Sequence, residues 1–123
     1  RSGALIRSVP ADYSHDIQFS PDGSTYVVAA NGGTADVWSL ADNTIVASVQ
    51  LPHAVYGARY SPDGSLLVAT GIYGTVKVLD LATGSEYTLQ AETGKVVYSS
   101  TISPDNQFVV LDTGADSVLY ALQ

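Results

Sequence analysis

The 123-residue chain is 46% hydrophobic and 14% charged, with 12 acidic against 5 basic side chains and a formal charge of −7. That composition suits about one compact domain, and its negative charge repels phosphate backbones and anionic lipid heads, which excludes nucleic acid and membrane surfaces as natural partners. Zero cysteine removes disulfides, thiolate metal sites and a Cys nucleophile, and no run reaches the roughly 18 apolar residues of a membrane helix, so a soluble chain of unassigned compartment is expected. The lack of methionine implies an N-terminus made by processing or excision.

In chain order, Ala4 to Val9 (ALIRSV) alternates and predicts a strand. Asp16 to Ser20 is a second, and it halts on Pro-Asp-Gly. Thr25 to Ala30 follows, apolar on both faces as in a strand sandwiched between sheets. The turn NGGT, the alternating run ADVWSL, the turn ADNT and the more polar strand Ile45 to Gln50 complete the passage. The sequence then repeats itself. Tyr56 to Ser61 halts on Pro-Asp-Gly, and Leu66 to Thr70, GIYGT, TVKVLDL, ATGS and Glu86 to Ala91 follow. A third pass takes Tyr98 to Ser103, a Pro-Asp-Asn halt, Phe108 to Leu111, the turn DTGADS and SVLYAL, and stops at Gln123 without a fourth strand.

Each halt reads as a hairpin turn, because proline fixes φ at the first corner and Gly or Asn accepts positive φ. Ser20, Ser61 and Ser103 recur at intervals of 41 and 42 residues, and about 40 to 45 residues is the period of one four-stranded propeller blade. The repeats run over about 15–50, 55–91 and 96–122 within a single unit, 1–123. The fourth strand that the last repeat lacks has its counterpart at the other end, where residues 4–9 match Ile45 to Gln50 in pattern. Counting strands gives twelve, or three complete blades once the two ends are joined in a "velcro" closure.

SPDG, GTVKVLDLATG, and the pairs Trp38-Ser39 and Leu79-Asp80 at the ends of third strands resemble the WD40 and YVTN class of β-propeller repeats. The resemblance implies an all-β fold of three four-stranded antiparallel blades. The buried His, Ser/Thr, Asp and Trp network usual in WD40 blades is not assembled: His53 precedes only one first strand, and Asn31, Ile72 and Ala115 stand about where the turn Asp belongs. That departure favours a YVTN-like propeller. Three blades leave two apolar faces and a strand edge uncovered, whereas propellers close with about 4 to 8. A homodimer giving six blades is the smallest self-completion, a homotrimer giving nine the next, and a piece of a larger propeller the rival.

Candidate chemistry is sparse. Arg59 stands inside a first strand, where Gln18 and Thr101 occupy the sister positions. Such strands line a propeller's channel, so its guanidinium needs either an internal carboxylate, Asp16 being the nearest candidate, or an anionic ligand. His15 and His53, the two histidines, read first as structural hydrogen-bonding groups and second as metal ligands. Tyr60 and Trp38 replace apolar residues of the other repeats and belong in the core, whereas Tyr13, Tyr56 and Tyr73 suit a contact surface. Asp112 and Asp116 supply too few oxygens for calcium, and no metal or cofactor is expected. The function expected is non-catalytic binding of a protein or a small anionic ligand through the loops 31–34, 51–56, 71–74 and 92–95. The alternative is a channel-mouth enzyme of the YVTN- and lactonase-like type using Arg59, Asp16, His15 and His53. A third reading is a unit with no activity of its own.

Overall fold

The structure, a computed structural model, describes residues 3–6, 8, 13–90 and 95–122. Eleven strands, β1 (Ser14–Phe19), β2 (Thr25–Ala30), β3 (Thr34–Ser39), β4 (Ile45–Gln50), β5 (Val55–Tyr60), β6 (Leu66–Gly71), β7 (Thr75–Asp80), β8 (Glu86–Gln90), β9 (Ser99–Ile102), β10 (Phe108–Asp112) and β11 (Ser117–Ala121), form three antiparallel sheets. Their orders are β1-β2-β3-β4, β5-β6-β7-β8 and β9-β10-β11. Each repeat of the sequence is therefore one sheet, and the third has three strands, as its missing fourth run predicts.

The halts are small hydrogen-bonded knots. Ser20 Oγ donates to Asp22 Oδ1 (2.8 Å), Ser24 N and Oγ donate to the same oxygen (2.9 and 2.8 Å), and Thr25 N donates to Ser20 Oγ (3.1 Å). Ser61, Asp63, Ser65 and Leu66 repeat this arrangement, and Ser103, Asp105, Gln107 and Phe108 repeat it without the last hydroxyl. The third corner is taken with positive φ by Gly23, Gly64 and Asn106, the residue types that tolerate it. Accepting several N–H and O–H bonds favours the ionised carboxylate. Asp22 is accordingly lowered from 3.8 to about 2, chiefly by the Ser24 amide, and Asp63 is lowered further, chiefly by the Ser65 amide.

The core consists of two seams between adjacent sheets. Val27, Ala29, Val37 and Val49 of the first blade meet Ala58, Tyr60, Leu67 and Leu79 of the second. On the second blade's other face, Val68, Val76 and Val78 meet Ile102, Val109 and Leu111 of the third. Polar stitches close the turn end of each seam: Thr25 Oγ1 with Tyr60 Oη (2.9 Å), and Asn106 Nδ2 donating to Asp63 Oδ2 (2.9 Å).

Two expectations need correction. Phe108 to Leu111 is not covered on both faces; Val109 and Leu111 are buried, but Phe108 and Val110 are exposed because no sheet formed by the described residues packs on that face. Trp38 is half-buried rather than core, since it lies in the row Phe19-Tyr26-Trp38 on the first blade's outer face, which no sheet formed by the described residues covers. Residues 4–6 and 8 belong to no strand, and 7 and 9 lie outside the described residues. In the single chain, Gly3 to Ile6 lie instead beside Ile17, Phe19 and Leu40, around a cavity of about 650 Å³ on that same outer face.

Candidate functional site

Because β1, β5 and β9 are the first strands of successive blades, residues equidistant from the three halt serines stand side by side. Five residues before those serines are His15, Tyr56 and Tyr98. The structure assembles them into a row crossing all three blades. His15 meets Tyr56 edge-on at 4.4 Å between ring centroids, and Tyr56 and Tyr98 lie parallel at 6.2 Å. His15 Nε2 is also 3.1 Å from Asn31 Oδ1, on the turn after β2. Tyr56, expected at the surface, is half-buried because its two neighbours flank it, while His15 and Tyr98 are exposed. Sequence reasoning missed Tyr98 as a site residue, although its spacing from Ser103 was the available signal.

Tyr73 is 57% exposed and takes positive φ (61°) in the 3-10 turn Ile72–Gly74. Left-handed backbone is strained for an aromatic residue and is typically kept where the surroundings enforce it. Its ring packs edge-on against His53 at 4.9 Å. Tyr13 also has positive φ (49°) and is exposed. All these groups flank the starts of first strands or the turns between second and third strands, which is one end of the blades. Pro-Asp-Gly turns and the acidic residues Asp22, Asp42, Asp63 and Asp80 occupy the opposite end.

Between the two ends, Arg59 finds the carboxylate that the sequence suggests. Its Nε is 3.4 Å from Asp16 Oδ2 and its Nη2 is 3.5 Å from Oδ1, with side-chain exposures of 39% and 16%. Asp16 Oδ2 additionally accepts the Ala58 amide (3.2 Å). The candidate residues thus fall into three contacts: Arg59 with Asp16, His15 with Tyr56, and His53 with Tyr73. Among the described residues no group of three or more His, Asp or Glu side chains is placed to hold a metal ion, and no helix is long and apolar enough to cross a membrane. Asp112 Oδ1 accepts the Gly114 amide (2.8 Å), and Thr113 and Asp116 are hydrogen-bonded to each other, which accounts for DTGADS as a turn. Of the loop 92–95, residues 92–94 lie outside the described residues, and Lys95 Nζ is 3.4 Å from Asp116 Oδ2.

Known proteins support the architecture. The sequence model of the WD domain, G-beta repeat (WD40) family matches residues 41–80, which hold β4, β5, β6 and β7. The β-propeller domain of Cps50 (Swd1) from Myceliophteria thermophila is similar over 98% of this chain, with a TM-score of 0.78 and 16% sequence identity. At that identity the likeness concerns the fold. This chain spans 42% of the length of that one.

Proposed function

We propose that this three-bladed β-propeller unit, whose residues 41–80 match the WD40 family model, is a non-catalytic binding platform whose ring is completed by a second copy. The observation that carries the binding role is the row His15, Tyr56 and Tyr98, one aromatic ring per blade at the same repeat position. Rigid rings on a fixed scaffold offer contact area at little entropic cost. Tyr73 and His53 widen the same end. The occupant is a protein segment, and the formal charge of −7 favours one that is basic.

The two outer faces are what supports the reading of self-completion. Ile17 and Phe19 are exposed on the first blade, and Val110 and Leu119 on the third. A pair of chains juxtaposing these faces makes a six-bladed ring with two new seams. In that ring residues 4–9 of one chain take the fourth-strand position beside β11 of the other. One observation favours a second source for the missing blades. Since the chain spans 42% of the Swd1 propeller chain, the other blades can belong to a longer polypeptide.

Peptide selection on the immobilised chain, followed by affinity measurement on Tyr98→Ala, tests the recognition role. Tyr98 is half-exposed, so the variant keeps the fold, and selected peptides should lose about tenfold or more in affinity, the loss expected of a central aromatic contact. Peptides that bind wild type and variant equally would refute a recognition surface at this end.

A further inference from the structure

Each blade turns its first strand toward the propeller axis as an edge, so alternate amides of that strand have no partner in the ladder. At the seam between the first and second blades these amides are capped from β1. Ala58 N donates to Asp16 Oδ2 (3.2 Å) and Tyr60 N donates to Gln18 Oε1 (3.0 Å). The repeat puts the amides of Ser100 and Ile102 in the same two positions on β9, and it puts Gly57 and Arg59 where Asp16 and Gln18 would stand. Glycine has no side-chain acceptor and guanidinium offers only donors. Among the described residues no side chain accepts from either amide, although Ser100 and Ile102 are only 8% and 5% exposed.

Position 57 is closed to a carboxylate. A Cβ there would lie 2.7 Å from Thr70 Oγ1 and 2.8 Å from the Tyr98 carbonyl oxygen. What lies along this seam instead is an open cavity of about 420 Å³ that reaches across to the first blade and whose lining includes Gln18, Arg59, Ser99, Ser100, Thr101 and Ile102. The Ser100 hydroxyl, at a position held by Ala58 in the second blade, is buried and has no hydrogen-bond partner. Arg59 directs Nε and Nη2 to Asp16, and a guanidinium carries five N–H bonds in all. Donors therefore line one cavity in which the acceptors of the sister seam are missing.

We propose that this cavity is a carboxylate-binding site, whose occupant supplies the acceptor oxygens that positions 57 and 59 cannot. A carboxylate is the group that serves the sister seam, and its two oxygens fit both a guanidinium fork and backbone amides. The site lies within one chain and does not depend on a second copy or on the aromatic end. The carboxylate can come from a free small acid or from a side chain of another polypeptide.

Amide chemical shifts of the folded chain, titrated with sodium acetate and sodium succinate against sodium chloride at matched ionic strength, test the proposal. Saturable shifts centred on Ser100, Ile102 and Arg59 are expected from the carboxylates and not from chloride. If the carboxylate is a side chain of a second copy of this chain, the same amides instead shift on dilution of the protein alone. Arg59→Gln copies Gln18 and so keeps the fold while providing its own acceptor; it should weaken the response by about tenfold or more, the worth of a charged hydrogen bond. Ser100→Ala copies Ala58 and should weaken it less. Shifts that are linear and scattered over the chain, or saturable shifts unchanged in Arg59→Gln, would overturn the site.

Discussion

Val27, Val68 and Val110 stand seven residues after the three halt serines, in the middle of β2, β6 and β10, yet Val27 and Val68 are fully buried while Val110 is 36% exposed. The same local sequence makes the same strand in each blade, and the position of the blade in the row decides whether its side chain enters a core. On the opposite faces, Tyr60 and Ile102 are buried, whereas Phe19, their counterpart in the first blade, is 63% exposed. Middle and end blades thus differ in what lies beside them rather than in how they are built. Propeller stability resides in seams, as in other repeat proteins where neighbouring units supply each other's core.

Charge substitution breaks this comparison most sharply. Val68→Asp places a carboxylate in the second seam without a partner, which should cost about 4 kcal/mol or more and abolish cooperative unfolding. Val110→Asp makes the identical change on an uncovered face. A lone chain should keep its melting curve, and any assembly through that face should be lost. Equal damage from the two, read by denaturant unfolding, would mean that the end blade is not a free copy of the middle one.

Truncation gives a smaller contrast. Leu67→Ala empties a fully buried site and should cost about 2 to 5 kcal/mol, whereas Leu119→Ala, on a side chain 64% exposed, should leave the stability of a single chain within about 0.5 kcal/mol.

The halts test the local level, which is common to all blades. Asp22, Asp63, Asp42 and Asp105 are all lowered by the hydrogen bonds they accept. A carboxyl group whose pKa is depressed in the folded state stabilises the fold above its unfolded value and loses that contribution as pH falls through the folded one. For Asp22 the window runs from 3.8 down to about 2. Denaturant midpoints should therefore fall across this acid range, and Asp63→Asn should flatten the decline more than Asp105→Asn, because Asp63 accepts from Ser61, Ser65 and Asn106. An unchanged pH profile in both variants would remove the turns from the stability account. The smallest effect belongs to the Lys77–Glu86 pair at 3.3 Å on the exposed face of β7 and β8: Glu86→Gln should change stability by less than about 0.5 kcal/mol.

The blades were legible in the sequence because each depends on local chemistry. A Ser-Pro-Asp-Gly turn specifies its own hydrogen bonds, and ten of the eleven strands fall within a residue of where alternation and turn spacing place them. Arg59 meeting Asp16 was legible for a related reason, since the repeat register sets first strands side by side. Burial at the ends was not. Whether Trp38, Phe108 or Val110 is covered depends on a neighbouring sheet, which no window of sequence within the blade can report. The aromatic row was half legible: His15 and Tyr56 could be chosen as candidates one by one, but their contact, and the inclusion of Tyr98, required the three repeats to be aligned on their serines. The seam cavity was hidden for another reason. It arises from acceptors present at Asp16 and Gln18 and missing at Gly57 and Arg59, a difference with meaning only once β5 and β9 are seen to present equivalent amides.

Completion of the ring by a second copy is tested most directly by the solution mass, measured by light scattering after size exclusion over about a hundredfold range of concentration, since a tight closed assembly resists dilution and a weak one does not. Closure by a twin requires a steady mass of twice 12.8 kDa, converted to a single chain by Val110→Asp. A wild-type chain that remains at 12.8 kDa, or that forms an open-ended distribution of masses, would contradict closure by a twin and assign the missing blades to another polypeptide.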